Sequence, residues 1–544
     1  MSDDLDDTRL PDHWWGPAVA RHERSDGPAV RPRWVGTVER AVGAVGAPDG
    51  TRPEQSADQH ADQTADQTAD QGAGWGETLA VPLWPFVRRA TIELRSAAVA
   101  AADAVDVAAV ADHFAGRLGR DLLRIAAHTM VAEVNARRPV GADDGAWIPG
   151  AVDALAAPAG FTGLLTGYPV LARMLAETAE LAVDAMVELL GRFVADRAAI
   201  VRALLGGTDP GPLVAVATGA GDRHRGGRSV AMLSFADGRT VVYKPRDSRA
   251  GELLSLLQRW LNDRVPELGL MPVALVVRDG YGWMEFVECA PLAGPERAEW
   301  FYHRQGALLA LLYATSAADM HCENVIACGE YPVIVDAETL FHPALPLPKT
   351  VPDPAADALA RSVYRTSLLP SASVGQDGMW DLSGLGGDRA AGTATAPAAG
   401  EPACGDGLRL AVRSTTLAPG RNRPWCDGAV IDPIDFHAAL LAGFRAGYTA
   451  ITRDRAGFAD LLRAHDGIGT RIVFRSTQGY ARLFDDSTRP EALRSADARD
   501  ATLGRLRETA GHGTVWSHLV DAELVDLWRG DIPIMHSRPG TFVV

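Results

Sequence analysis

Residues 226–246 read GGRSVAMLSFADGRTVVYKPR, and the fold is decided here. Residues alternate in the strand manner on both sides of Ala236-Asp237-Gly238, and an Asp-Gly pair between two such runs is a strong hairpin signal. A two-stranded ribbon is predicted, with Lys244 near the end of its second strand. Residues 273–288, VALVVRDGYGWMEFVE, repeat the pattern and turn at Asp279-Gly280.

Further along, AEWFYHRQGALLALLYATSA (298–317) has helical spacing, and YPVIVDAETL (331–340) is a short apolar strand running into acidic residues. Antiparallel strands with a lysine, a helix, a polar loop and a strand ending in carboxylates follow one another in the order found in kinases. On the N-terminal side, residues 108–138 and 168–205 place apolar positions at helical spacing and are rich in Ala, Leu and Val. The expected class is α+β: a two-lobed, lipid-kinase-like core with an N-terminal helical region and extra helical elements. Residues 1–75 read as a disordered or low-complexity tail ending in four copies of ADQ, which start at Ala57, Ala61, Ala65 and Ala69. The helical region is expected over 76–210, an N-lobe with the phosphate-binding lysine over 211–290, and a C-lobe with catalytic and metal loops over 291–544. Within the C-lobe, the Gly/Pro/Ala-rich stretch from about Leu345 to Asn422 reads as a long loop of activation or lid type. The remainder from Pro433 is mostly helical around a polar island at RIVFRSTQGYARLF (471–484).

A chain of 544 residues exceeds what one core usually organises. With 53 basic against 69 acidic residues, the net charge of −16 argues against a nucleic-acid-binding surface. The five cysteines form no C-x-x-C pair, so neither a disulfide framework nor a zinc ribbon is indicated. The acidic N-terminus MSDDLDDTRL does not read as a secretory signal, and no uninterrupted apolar run reaches about eighteen residues. A cytoplasmic protein without a transmembrane segment is expected.

Phosphoryl transfer needs a lysine on the nucleotide phosphates, a carboxylate near the attacking hydroxyl, and an Asn with a carboxylate to hold magnesium. Lys244 is followed by Asp319 and Asn324, five residues apart in DMHCENVI, and Asp336 comes twelve residues after that Asn. Asn324 and Asp336, with phosphate oxygens and water, would suffice for Mg2+. His321 completes D-x-H-x-x-N, the order seen in lipid kinases of the phosphoinositide type. Gly221-Asp222-Arg223-His224 looks like a second such loop, but position 227 is Gly where Asn is required. Asp222 and His224 therefore approach the site from the ribbon, as functional groups or as turn-formers.

The set GDRHRGGR, VVYKPRDS, YGWMEFVE, DMHCENVIA, PVIVDAETLF, SVYRTSLLP, DLSGLGG, RIVFRST and DIPI resembles the dehydratase domain of class II lanthipeptide synthetases, the LanM type. The resemblance covers roughly residues 120 to 544, with the motifs in family order, and Asp336-Ala337-Glu338 stands where a protein kinase has D-F-G. It implies phosphorylation of Ser or Thr in a precursor peptide with a leader, using ATP and Mg2+, followed by loss of phosphate to leave dehydroalanine or dehydrobutyrine. By position it assigns Lys244, Asp319, His321, Asn324, Asp336 and Glu338 to phosphorylation, and Asp222, His224, Arg471 and Thr477 to elimination. Arg471 is separated from nearby Arg475 by the six-residue spacing to Thr477. Elimination needs a base for the Cα proton, an electrophile and cations for the leaving phosphate. Arginine suits the last task because it is always charged and can bind two oxygens; which group takes the Cα proton stays open between His224 and others.

Full-length members carry a C-terminal zinc cyclase, and no such segment follows here, so ring closure is expected to need a separate zinc cyclase. The resemblance also implies a shortened dehydratase, because Val544 follows shortly after DIPIMHSRPGT, which in the family lies inside the dehydratase domain. Two other readings compete: a kinase that phosphorylates a peptide or small molecule without elimination, and a non-catalytic relic that binds the leader peptide. Intact Lys244, Asp319, Asn324 and Asp336 speak against the relic.

Overall fold

The computed structural model describes residues 10–23, 31–45, 75–142, 145–219, 221–345, 353–375, 378–386, 401–405, 407–411, 420–510 and 515–538. The protein is α+β. Its organising sheet has five antiparallel strands in the order β1 (Leu213–Thr218), β2 (Ala231–Phe235), β3 (Thr240–Lys244), β5 (Tyr281–Glu285) and β4 (Leu275–Arg278). Both predicted hairpins form, with Gly238 at φ 86° and Gly280 at φ 76°, a region that glycine enters without a Cβ penalty. Strand β1, LVAVAT, has no clean alternation and was not among the predicted strands; it pairs with β2 from Leu213 to Thr218.

One face of this sheet packs on the helix Pro169–Leu204, where Phe193 meets Phe235 and Trp283 at ring-centroid distances of 5.8 and 6.2 Å. Asp196 on the same helix accepts from Trp283 Nε1 at 2.9 Å, Tyr281 Oη at 2.9 Å and Arg278 Nε at 2.7 Å. Burial opposes the charge of Asp196, but these donors prevail and hold its carboxyl below the usual range.

The named elements from Gly76 to Leu204 are helices. The expected tail needs correction where it is described. Helix Arg33–Gly43 buries Trp34, Val35 and Val38 in the same core as Trp14 and Trp15, and Arg173, 2% exposed, pairs with Glu23 at 2.6 Å. A segment with three buried tryptophans has enough apolar area to offset the entropy of ordering it. The ADQ repeats lie outside the described residues.

A second core joins the helices Arg249–Arg264, Ala298–Ala314 and His437–Arg453. The last two touch at glycines: a Cβ on Gly443 would stand 1.7 Å from His303 O, and one on Gly306 would stand 1.9 Å from Leu440 O. Gly443→Ala is therefore expected to force the helices apart and to destabilise the protein by about 1–3 kcal/mol, read as a lower urea midpoint.

The hairpin β6 (Val325–Cys328) and β7 (Tyr331–Ile334) leads into Asp336. The predicted lid falls partly outside the described residues. Its described parts contain a helix, Pro354–Arg361, and short ribbons, one of which docks on helix Val107–Asn135: the Asn135 amide donates to Leu408 O at 2.6 Å and accepts from Leu408 N at 2.9 Å. The polar island divides into a strand, Thr470–Ile472, and a helix, Thr477–Asp486. Among the described residues no single helix is long and apolar enough to cross a membrane; one pair, Ile148–Ala156 and Pro158–Gly167, meets that test only together, bent by 82°.

Candidate active site

Strand β3 ends on Lys244, whose ammonium donates to Val335 O at 2.5 Å and lies 3.7 Å from the Asp336 carboxylate. Side chains on a strand recur on one face every second residue. Arg246, two positions on, reaches the same acids: its NH2 group is 2.5 Å from Asp336 Oδ2 and its Nε is 2.8 Å from Glu338 Oε2. From the opposite side Arg471 NH1 donates to Glu338 Oε1 at 2.7 Å, and its backbone N–H donates to Glu338 O at 2.7 Å. Two carboxylates are thus enclosed by three cations. Burial opposes charge on Asp336, yet Arg246 and Lys244 outweigh it and hold the carboxyl far below the usual range. Burial lowers the Lys244 pKa, with Asp336 and Glu338 acting the other way. Arg246 and Arg471 are also disfavoured by burial, but the neighbouring acids raise both.

The polar loop is fixed from several directions. Met320 N donates to Thr366 O at 2.9 Å, Cys322 N to Leu382 O at 2.9 Å, and Val335 N to Asn324 O at 3.0 Å. SVYRT and DLSGLGG therefore brace the loop from behind. Gly384 is required there, because a Cβ would stand 2.7 Å from Met320 O. Asp319 sits at φ 59°, a strained conformation for a non-glycine residue, and the Asn324 amide nitrogen donates to its carbonyl at 2.7 Å. That bond orients the amide, with one N–H on the Asp319 carbonyl and the amide oxygen turned away from it. Burial raises the Asp319 pKa, as do Glu338 and Asp336, against the pull of His321 and Arg471. His321 caps the short turn Cys322–Asn324, with its ring nitrogen accepting from Glu323 N at 3.3 Å.

The GDRHRGGR loop lies on the C-terminal segment. Asp531 accepts from Gly226 N at 2.5 Å and Gly227 N at 2.9 Å, and Ile532 N donates to Arg223 O at 2.7 Å. His224, 8% exposed, has its Nδ1 2.6 Å from Ile532 O. A carbonyl only accepts, so Nδ1 carries the proton and Nε2 keeps its lone pair. Burial lowers the pKa of His224, as do Arg471 and Arg246, while Asp222 acts against them.

Two cavities flank the acids. One of about 470 Å³ is lined by Lys244, Ser255, Gln258, Met284, Val335 and Asp336; the other, of about 330 Å³, by Asp222, His224, Arg225, Arg246, Ile534 and His536. Arg246 borders both. The structure thus gathers Lys244, Asp336, Glu338 and Arg471, with Asp319, His321 and Asn324 on the adjoining loop and Asp222 and His224 across Arg246. Thr477 opens the helix Thr477–Asp486 and makes no hydrogen bond to another candidate among the described residues. Arg475 is engaged elsewhere, with Nε 3.0 Å from the Glu523 carboxylate, which is 1% exposed. Arg475→Ala would strand that buried charge, and a loss of about 3–5 kcal/mol is expected in urea unfolding. Among the described residues no group of three or more His, Cys, Asp and Glu could hold a metal ion.

Arg246 and His536 are the site residues that the motifs did not single out. The period of two from Lys244 could have found Arg246. Nothing local marks His536, which enters because Thr470–Ile472 pairs antiparallel with Met535–Ser537, setting Arg471 opposite His536.

The chain belongs to the family described as Domain of unknown function (DUF4135), which matches residues 168–538 and so includes every candidate named above. It is also similar to the lacticin 481/lactococcin biosynthesis protein LcnDR2 of Lactococcus lactis subsp. lactis, with 27% identity over 231 residues. The match covers 39% of this chain and 23% of that relative, so it spans less than a quarter of the relative's length. Both findings support the resemblance to class II lanthipeptide synthetases.

Proposed function

We propose that this chain phosphorylates Ser and Thr hydroxyls of a lanthipeptide precursor with ATP and then eliminates the phosphate to give dehydroalanine or dehydrobutyrine. The observation that carries this reading is the approach of Lys244 to Asp336, 3.7 Å, within a cluster that Arg246 and Arg471 close on both sides. The five-stranded sheet bearing Lys244 and the segment from Asp319 to Asp336 then correspond to the two lobes of a lipid-kinase-like core.

The cavity beside Lys244 would take the nucleotide by its chemistry: Met284, Val273, Leu275 and Leu254 give it an apolar wall, while Lys244 and Asp336 make one end charged. Lys244 would bind phosphate oxygens, and Asn324 and Asp336 would hold Mg2+. Bound magnesium would neutralise charge on the transferred phosphoryl group. Asp319, half-buried and raised in pKa by that burial, would accept the proton of the attacking hydroxyl.

For elimination, His224 offers a bare Nε2 lone pair toward a Cα proton, and Arg246 and Arg471 offer guanidinium groups to the phosphate. Since Arg471 contacts Glu338, the two halves of the reaction share one set of charges. The test is incubation with ATP, Mg2+ and a lanthipeptide precursor peptide carrying its leader, followed by mass spectrometry. Products lighter by one water per modified residue are expected. A stable phosphopeptide would establish a kinase alone, and an unchanged peptide would reject the phosphotransfer reading altogether.

A further inference from the structure

His536 lies on the strand Met535–Ser537, across from Arg471, and lines the cavity of about 330 Å³ with His224, Asp222 and Arg246. Its Nδ1 is 3.0 Å from Arg225 NH2. A guanidinium only donates, so Nδ1 is the accepting nitrogen and the ring proton sits on Nε2. Burial, with Arg225, Arg246, Arg471 and His224, brings its pKa down to about 4, so the ring is neutral at pH 7. The two imidazoles of this cavity are therefore fixed in opposite tautomers. His224 keeps a bare Nε2 because Ile532 O takes its Nδ1 proton, whereas His536 keeps Nε2–H because Arg225 occupies its Nδ1.

A base and a neutral donor on the walls of one cavity, beside an arginine, match what a β-elimination of phosphate requires: one group to remove a proton and others to stabilise a departing anion. We infer that His536 is a catalytic hydrogen-bond donor, giving its Nε2–H to the phosphate that leaves a phosphorylated Ser or Thr side chain in this cavity, with Arg225 as the positioning residue that fixes its tautomer. This rests on the function proposed above and adds to it a residue and a cavity for the second step. In that step the Cα–H electron pair becomes the Cα=Cβ bond, and the Cβ–O pair departs with the phosphate. The proton taken by His224 Nε2 passes to the departing phosphate, so the products are the alkene and hydrogen phosphate with both imidazoles neutral again. His536 holds its own proton throughout.

The test compares His536→Phe, which removes the donor and keeps a ring, with His536→Gln, which restores an N–H. Both are assayed with ATP, Mg2+ and the precursor peptide. His536→Phe is expected to raise the ratio of phosphorylated to dehydrated product by about 10²-fold, the scale of losing one preorganised donor, and His536→Gln to recover most of that loss. An unchanged ratio in His536→Phe would overturn the assignment, as would a glutamine variant no better than phenylalanine. A second measurement is independent of the peptide: in protein labelled with 15N-histidine, inorganic phosphate is expected to shift the His536 Nε2 resonance in wild type, and no shift at saturating phosphate would also overturn it. If wild type leaves the peptide unchanged, neither phosphorylated nor dehydrated, the proposed function itself fails and the assignment falls with it, a result distinct from any of the variant outcomes.

Discussion

Asp336→Asn is expected to lower ATP-dependent phosphate transfer by at least about 10³-fold and to remove phosphopeptide and dehydrated product together. The carboxylate is the common partner of Lys244 at 3.7 Å and Arg246 at 2.5 Å, and its second oxygen accepts from Glu338 N at 3.2 Å. An amide keeps the shape, loses the negative charge and can turn an NH2 group toward two cations. It also replaces the anionic oxygen proposed for magnesium by a neutral amide oxygen, and magnesium binds hard anionic oxygens by preference. Leaving buried cations short of a partner costs about 3–5 kcal/mol where no other acid is near. Here Arg246 retains Glu338 at 2.8 Å, so the fold is expected to survive with a lowered melting temperature. The check is mass spectrometry of the peptide beside a thermal melt of the same preparation. A folded Asp336→Asn that still phosphorylates within about tenfold of wild type would remove Asp336 from the chemistry.

Local chemistry made parts of this molecule legible in its sequence. Asp237-Gly238 and Asp279-Gly280 specify turns within a few residues, and both hairpins form with positive φ at the glycines. The spacing of Asp319, Asn324 and Asp336 reflects a loop that bonds to itself, through Asn324 to Asp319 O and Val335 N to Asn324 O. Contacts between distant segments were not legible in the same way. Trp14 and Trp34 stand in a polar leader that reads as a tail, and it is distant segments such as the helix Pro169–Leu204, with Arg173 reaching Glu23, that bury them. The role of the DIPI segment likewise depends on Asp531 meeting two glycine N–H groups of a loop some three hundred residues earlier. His536 becomes a neighbour of Arg471 and Arg225 only once that docking is made.

Arg471→Ala is expected to accumulate phosphopeptide, with elimination slowed by about 10²- to 10³-fold and phosphorylation reduced much less. The asymmetry follows from how its charge is shared. Arg471 holds Glu338 Oε1 at 2.7 Å, but Glu338 Oε2 keeps Arg246 at 2.8 Å, and the contacts of Asp336 do not pass through Arg471. The phosphorylation site therefore retains its own cations after the substitution. The elimination side loses the guanidinium that, with Arg246, would bind a departing phosphate. Arg471→Lys is expected to rescue little, because a lysine is a point charge and cannot hold Glu338 and a phosphate oxygen through separate N–H groups of one planar fork. Arg475→Ala is the matched comparison: it removes the same side chain four residues away and is expected to weaken the fold through Glu523 without raising the phosphorylated fraction. Quantifying phosphorylated and dehydrated peptide over time in the three variants separates these outcomes. Fully dehydrated product from Arg471→Ala would place the phosphate of the second step on other groups, and an equal loss of both steps would show that Glu338 needs two arginines to stay in position.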